Sequence, residues 1–177
     1  MSTATVPVAR NARELLTPEE FAAVAATVQD TSGVNEHVAA RITEQALAFV
    51  AVAADAPHAA LAPSRTVDEG WHALILHTRV YERLCRRLGR VVHHHPERPG
   101  STDATCTADW LTRTTDAIRQ AGYGIDEELW RGPDDPEAVH VAAPVQHTPR
   151  PANCSPIETR PKPKPKSAPT PAEAGTV

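Results

Sequence analysis

The chain has 177 residues, a mass of 19.0 kDa and a net charge of −4, which allows one domain or one domain with a tail. Charged residues make up 23% of the chain, and this balance argues against a basic nucleic-acid-binding protein and against a strongly acidic solvating chain. No apolar run reaches the roughly 18 residues of a membrane span, and the first residues lack the pattern of a signal peptide, so we expect a cytoplasmic protein.

Prolines and aromatic residues divide the chain near residue 131. All seven aromatic residues lie at or before Trp130, whereas 11 of the 17 prolines follow Gly132. A segment without aromatic anchors cannot bury enough apolar surface to offset the entropy that ordering costs. We therefore predict a flexible N-terminal arm at 1–14, an α-helical domain at 15–131 and a disordered Pro-rich tail at 132–177.

Two helices are predicted at the start of the domain. Thr17 and Glu20 have the spacing of a capping box at the first helix, and apolar residues at intervals of three and four continue that helix for about three turns. The second helix starts near Ser32 or Asn35 and runs to about Ala54. We expect these two helices to pack as a hairpin.

The spacing next predicts one long helix without proline from Val67 to Leu88. Thr66 and Glu69 have the spacing of a second capping box. Gly89 fits the left-handed backbone conformation that often ends helices. This third helix would be the longest element of the domain.

An extended, histidine-rich segment at 91–96 follows, because β-branched residues favour strands and the residue before a proline avoids the helical region. A fourth helix is predicted at about 107–121, and a terminal turn at 125–130 would lie on the other helices. The predicted fold class is therefore all-α, a small bundle of four helices with a hairpin, a long third helix and a fourth helix with a terminal turn.

Asp68 and His72 are four residues apart on the predicted third helix. At this spacing, two side chains share one face of a helix, about one turn apart. A carboxylate and an imidazole placed in this way can chelate a metal, or the carboxylate can orient the imidazole. In the alternative interpretation, the aspartate only complements the helix dipole and the histidine is incidental.

The extended segment carries three consecutive histidines, His93, His94 and His95. Side chains alternate along an extended chain, so His94 points away from the other two. Imidazole is a common ligand for Zn, Cu, Fe and Ni, and one of these residues would complete a set of two histidines and one carboxylate. The alternative is a solvated basic rim.

Distances limit which residues can share a metal. In an unbroken helix His72 and Cys85 would be about 20 Å apart, so they belong to different sites. His94 can reach His72 only if the extended segment runs straight back along the third helix, or if that helix bends. Two sites therefore compete: Asp68 and His72 with His94, or Cys85 with His93.

The segment 67–96 also carries a recognisable combination of residues, namely Val67-Asp68-x-x-Trp71-His72-x-x-Ile75-Leu76, then Tyr81-x-x-x-Cys85, then Gly89-Arg-x-x-His93-His94-x-Pro96. This combination resembles the glycine-rich-domain-containing-protein-like family, which has bacterial, often actinobacterial, members and plant relatives. The similarity extends over about 15–130. It implies a site built from the polar and aromatic residues of the motif, Asp68, Trp71, His72, Tyr81, Cys85, His93 and His94, and it implies no particular reaction.

These observations lead to two functional hypotheses. The first is a metal-binding helical domain that holds Zn or another divalent ion through Asp68 and His72 with His94 or His93, and in which an open position could support hydrolysis by a metal-bound water. The second is a non-catalytic interaction module whose motif is a buried hydrogen-bond network and whose Pro-rich tail contacts a protein partner. The sequence identifies neither a reaction nor a partner.

Overall fold

The computed structural model describes residues 9–94, 109–132, 135–141 and 153–156. Within these ranges the chain forms, in order, a 3-10 helix (Ala12–Leu15), α1 (Pro18–Ser32), α2 (Glu36–Asp55), α3 (Arg65–Leu76), α4 (Thr78–Leu88), β1 (Arg90–His93), α5 (Trp110–Gln120) and β2 (Asn153–Pro156). The predicted all-α class is confirmed. No helix in these ranges has the length and apolar character needed to cross a membrane.

The first two helices begin at the predicted caps. The Thr17 hydroxyl accepts the backbone N–H of Glu20 at 3.2 Å, and the Glu20 carboxylate accepts the backbone N–H of Thr17 at 3.1 Å, which is a complete capping box. The Asn35 side chain accepts the backbone N–H of Val38 at 3.0 Å at the start of α2. Local hydrogen bonds therefore define both helix starts.

α2 is the central element of the core. It packs against α1, α3, α5 and β1, and its second half is buried on all sides. The Phe49 ring lies between two tryptophans, with centroids 5.2 Å from Trp71 and 6.4 Å from Trp130. The buried Trp130 indole N–H donates to the Gln45 side-chain oxygen at 2.7 Å, so the terminal turn is docked on α2 as predicted.

The predicted single third helix is wrong, because the structure contains two helices there. α3 ends at Leu76, α4 begins at Thr78, and His77 between them has φ −81° and ψ 62°, which is outside the helical region. The sequence has no proline or glycine at this point. The His77 Nε2 atom lies 2.8 Å from the Thr27 hydroxyl on α1, so a tertiary hydrogen bond stabilises the break.

The start of α3 also differs from the prediction. Ser64, not Thr66, is the N-cap, and its hydroxyl accepts the backbone N–H of Val67 at 3.2 Å. The same hydroxyl donates to the Leu129 carbonyl at 2.5 Å. Ser64 therefore anchors α3 and the terminal turn together, and Glu69 is not part of a cap.

Two parts of the chain assigned to the arm and the tail have contacts in the structure. β2 pairs antiparallel with β1, with Cys154 opposite Val92, and the Arg10 N–H donates to the Gly122 carbonyl at 2.9 Å. The domain boundaries themselves stay a prediction. The predicted helix residues 107–108 and the extended residues 95–96 lie outside the described ranges.

Gly70 allows α3 to approach α2 closely. A Cβ atom at this position would lie 2.9 Å from the Ala46 Cβ, the Ile42 Cγ2 and the Ile42 carbonyl oxygen. Real Cβ atoms essentially never come this close to a backbone oxygen. The face of α3 next to Gly70 is therefore held against the core by a contact that only glycine permits.

We expect Gly70→Ala to lower the free energy of unfolding by about 1–2 kcal/mol, because overpacking costs about 1–3 kcal/mol and the better helix propensity of alanine returns up to about 1 kcal/mol. Urea denaturation measures the change. Gly124→Ala is the matched control, since nothing lies within 4 Å of a Cβ there. Equal stabilities for the two variants would contradict the close approach.

Candidate metal centre

Three potential metal ligands converge where α3 faces the end of β1. Asp68 and His72 lie one turn apart on α3, with 3.6 Å between the Asp68 Oδ2 and the His72 Nε2. His94 follows β1, and its Nε2 lies 3.0 Å from the Asp68 Oδ1. The two imidazole centroids are 4.3 Å apart.

These separations suit a shared ion. One ligand atom from each residue lies within 4.8 Å of the others. Two ligands that are each about 2.1 Å from a metal lie about 3.4 Å apart in tetrahedral geometry and about 3.0 Å apart as octahedral neighbours. One Asp68 oxygen lies 3.6 Å from His72 and the other lies 3.0 Å from His94, which is close to these values. Asp68, His72 and His94 could therefore hold a metal ion, and among the described residues they form the group of three that could do so.

A hydrogen-bonded relay places His94 next to α3. The Trp71 indole N–H donates to the Tyr81 hydroxyl at 3.1 Å, and the Tyr81 hydroxyl donates to the Val92 carbonyl. The relay thus connects α3, α4 and β1. The Trp71 ring also contacts His94 edge-on, with 4.7 Å between centroids. The assignment of Trp71 and Tyr81 as supporting residues of a site stays a prediction.

The break at His77 explains how His94 can lie close to His72, which an unbroken third helix would make difficult. A continuous helix would carry the chain about 24 Å beyond His72 before it could turn back. Because α3 stops at Leu76 and His77 leaves the helical region, α3 and α4 do not form one continuous helix. The interruption allows His94 to lie close to His72, with 4.3 Å between the ring centroids.

The centre is mostly buried and rich in carboxylates. The side chains of Asp68, His94 and His72 are 9%, 12% and 25% exposed. Burial is the largest single influence on His72 and lowers its pKa, but the carboxylates of Glu69 and Asp68 together outweigh it, so the pKa of His72 is raised. His72 is therefore the most exposed of the three candidate ligands, and two carboxylates lie near its ring.

Cys85 and His93 stand apart from this group. Cys85 is buried on α4 near Tyr81 and Val92, and burial raises the pKa of its thiol, which disfavours the thiolate that binds metals. The His93 side chain is exposed on β1. Neither belongs to the three-ligand group of the described residues, so their assignment as a second site stays a prediction.

Sequence reasoning missed the role of Glu69, which it assigned to a cap. Its Oε2 lies 3.8 Å from the His72 Nδ1, and its side chain is only 4% exposed. The spacing of three residues between Glu69 and His72 places both on one face of a helix, so the same periodicity that linked Asp68 to His72 could have included Glu69.

Comparison with known families identifies one match. A family model described as UCP032817-like matches residues 17–109, slightly more than half of the chain. That family is uncharacterised and is not the glycine-rich-domain-containing-protein-like family, so the expected resemblance is wrong. The motif that suggested the glycine-rich-domain-containing-protein-like family covers only residues 67–96, and these residues lie within the range 17–109 that the UCP032817-like model matches. No curated protein and no solved structure matches the chain.

We expect Tyr81→Phe to lower the free energy of unfolding by about 1–3 kcal/mol, because it removes the hydroxyl that pairs with both the Trp71 N–H and the Val92 carbonyl. Thermal and urea denaturation measure the loss. Tyr123→Phe is the control, since Tyr123 lies after α5 and outside the relay. A Tyr81→Phe variant as stable as the wild type would show that the relay does not hold β1.

Proposed function

The chain belongs to the uncharacterised UCP032817-like family, and from its geometry we propose that it is a metal-binding helical protein. Asp68, His72 and His94 would hold one divalent ion between α3 and the end of β1. The observation that carries the proposal is that one carboxylate and one imidazole of α3 and a second imidazole after β1 lie within 4.8 Å of one another.

The donor types favour a borderline divalent ion. Imidazole nitrogen suits Zn, Cu, Fe and Ni, whereas sites for Ca and Mg are built mainly from oxygen ligands. Two histidines and one carboxylate form a set found in open metal sites. Zn²⁺ is the ion we propose first, because it accepts imidazole and carboxylate ligands at tetrahedral spacing.

Three protein ligands would leave a tetrahedral ion one position for water. A metal in such a site lowers the pKa of the bound water and can supply hydroxide near neutral pH. The partial exposure of His72 gives solvent a route to that side of the centre. If the site is catalytic, hydrolysis is the reaction class that this arrangement favours.

One distance supports a second candidate function. The 3.0 Å between the His94 Nε2 and the Asp68 Oδ1 is also a good hydrogen-bond length, so the same residues could lock β1 to α3 without an ion. The protein would then be a non-catalytic interaction module, with its Pro-rich tail available to a protein partner. Metal analysis distinguishes the two functions.

We expect the wild-type protein, purified without a His tag or a nickel column, to contain about one Zn²⁺ per chain. His72→Ala and His94→Ala should each abolish stoichiometric binding, because two ligands hold an ion far more weakly than three. Inductively coupled plasma mass spectrometry measures the metal content, and circular dichroism verifies the fold of each variant.

His93→Ala and Cys85→Ser are the matched controls and should retain the metal, since neither side chain belongs to the group. Metal retained in His72→Ala but lost in Cys85→Ser would move the site to the other end of the motif. The interaction-module hypothesis instead predicts no metal in any preparation, with non-additive stability losses for His72 and His94.

We expect metal affinity to fall on acidification, because protons compete with the ion for the Nε2 atoms of His72 and His94. The raised pKa of His72 means that its protonated form persists to higher pH, so the decline begins above the ordinary histidine pKa of about 6.5. Competition with a chromophoric chelator from about pH 5 to about pH 8 measures this dependence. Constant affinity across that range would contradict imidazole ligation.

A further inference from the structure

The imidazole of His72 lies between two carboxylates. The Asp68 Oδ2 faces its Nε2 at 3.6 Å, and the Glu69 Oε2 faces its Nδ1 at 3.8 Å. The two ring nitrogens therefore have different environments. Asp68 also contacts His94. Among the described residues, His72 is the basic side chain that faces Glu69.

The burial of Glu69 needs an explanation, since a carboxylate that is 4% exposed loses most of its hydration and several kcal/mol of free energy with it. Capping does not supply the explanation, because Ser64 caps α3 and Glu69 lies beyond the first turn. The exposed glutamate Glu82, which pairs with Arg86 on α4, shows the ordinary placement of this residue type.

We propose that Glu69 is the positioning residue of the metal centre. In this role its carboxylate faces the His72 Nδ1 at 3.8 Å and favours the tautomer that carries the proton on Nδ1, so that the Nε2 lone pair is available to an ion near Asp68 and His94. Histidines that bind metals usually donate their other ring N–H to a carboxylate, carbonyl or water, and that partner raises the basicity of the ligand nitrogen. This inference rests on the proposed metal-binding function.

The 3.8 Å separation is about 0.9 Å longer than an ordinary N–H···O hydrogen bond. A small rotation of either side chain closes that gap, and such contacts commonly tighten once the ligand is bound. The Glu69 carboxylate selects the tautomer with the proton on Nδ1 already in the metal-free protein, and the contact shortens when an ion holds the Nε2 atom.

The first test measures Zn²⁺ affinity by chelator competition in Glu69→Gln and Glu69→Met. Methionine has a similar length and removes the acceptor and the charge, and we expect it to weaken binding about 10-fold to 100-fold. Glutamine retains an acceptor oxygen, so its loss should lie between those of the wild type and Glu69→Met. Glu82→Gln is the matched control and should bind like the wild type.

The second test uses the imidazole nitrogen-15 shifts of His72 in the metal-free wild-type protein at alkaline pH. We expect the proton on Nδ1, and we expect Glu69→Met to move it toward Nε2. A structural role for Glu69 would not change this tautomer. The wild-type spectrum needs no variant, so the test holds even where a substitution prevents folding.

The outcomes separate this inference from the proposed function. Wild-type protein that binds no Zn²⁺ overturns both the metal-binding proposal and the positioning role. Wild-type protein that binds Zn²⁺ with an affinity that Glu69→Met leaves unchanged overturns only the positioning role. A proton on Nε2 in the metal-free wild type also overturns it.

Discussion

The two hydrogen bonds that run from the Trp71 indole through the Tyr81 hydroxyl to the Val92 carbonyl connect the three elements around the candidate site. A buried indole N–H needs an acceptor, and the hydroxyl can accept and donate at once. Tyr81 meets both requirements. His94, the residue that follows β1, therefore lies beside Asp68 on α3.

The relay depends on the position of α3, and packing against α2 fixes that position. The buried second half of α2 holds Phe49 against the Trp71 ring, and the close approach at Gly70 sets the position of α3. Asp68 lies two residues before Gly70 on α3. The carboxylate is thus attached to a helix that packs closely against α2, and a metal ligand needs such a fixed support.

Charge distinguishes this cluster from an ordinary packed interface. Two buried carboxylates, Asp68 and Glu69, face the ring of His72, and together they outweigh the effect of burial on the imidazole pKa. Such an arrangement has an electrostatic cost unless cations compensate it. A bound divalent ion would compensate this negative charge, and so would a protonated histidine at lower pH. Either cation would reduce the electrostatic cost of burying the two carboxylates.

Short-range patterns allowed some features to be predicted from the sequence alone. The capping box at Thr17, the helix start at Asn35 and the shared face of Asp68 and His72 depend on residues within four positions of each other, so local geometry determines them. The break at His77 and the attachment of Ser64 to the terminal turn depend on Thr27 and on the Leu129 carbonyl, 50 and 65 residues away. Only the tertiary structure brings those partners together, and it therefore decided where α3 ends, which histidine reaches Asp68 and why Glu69 is buried.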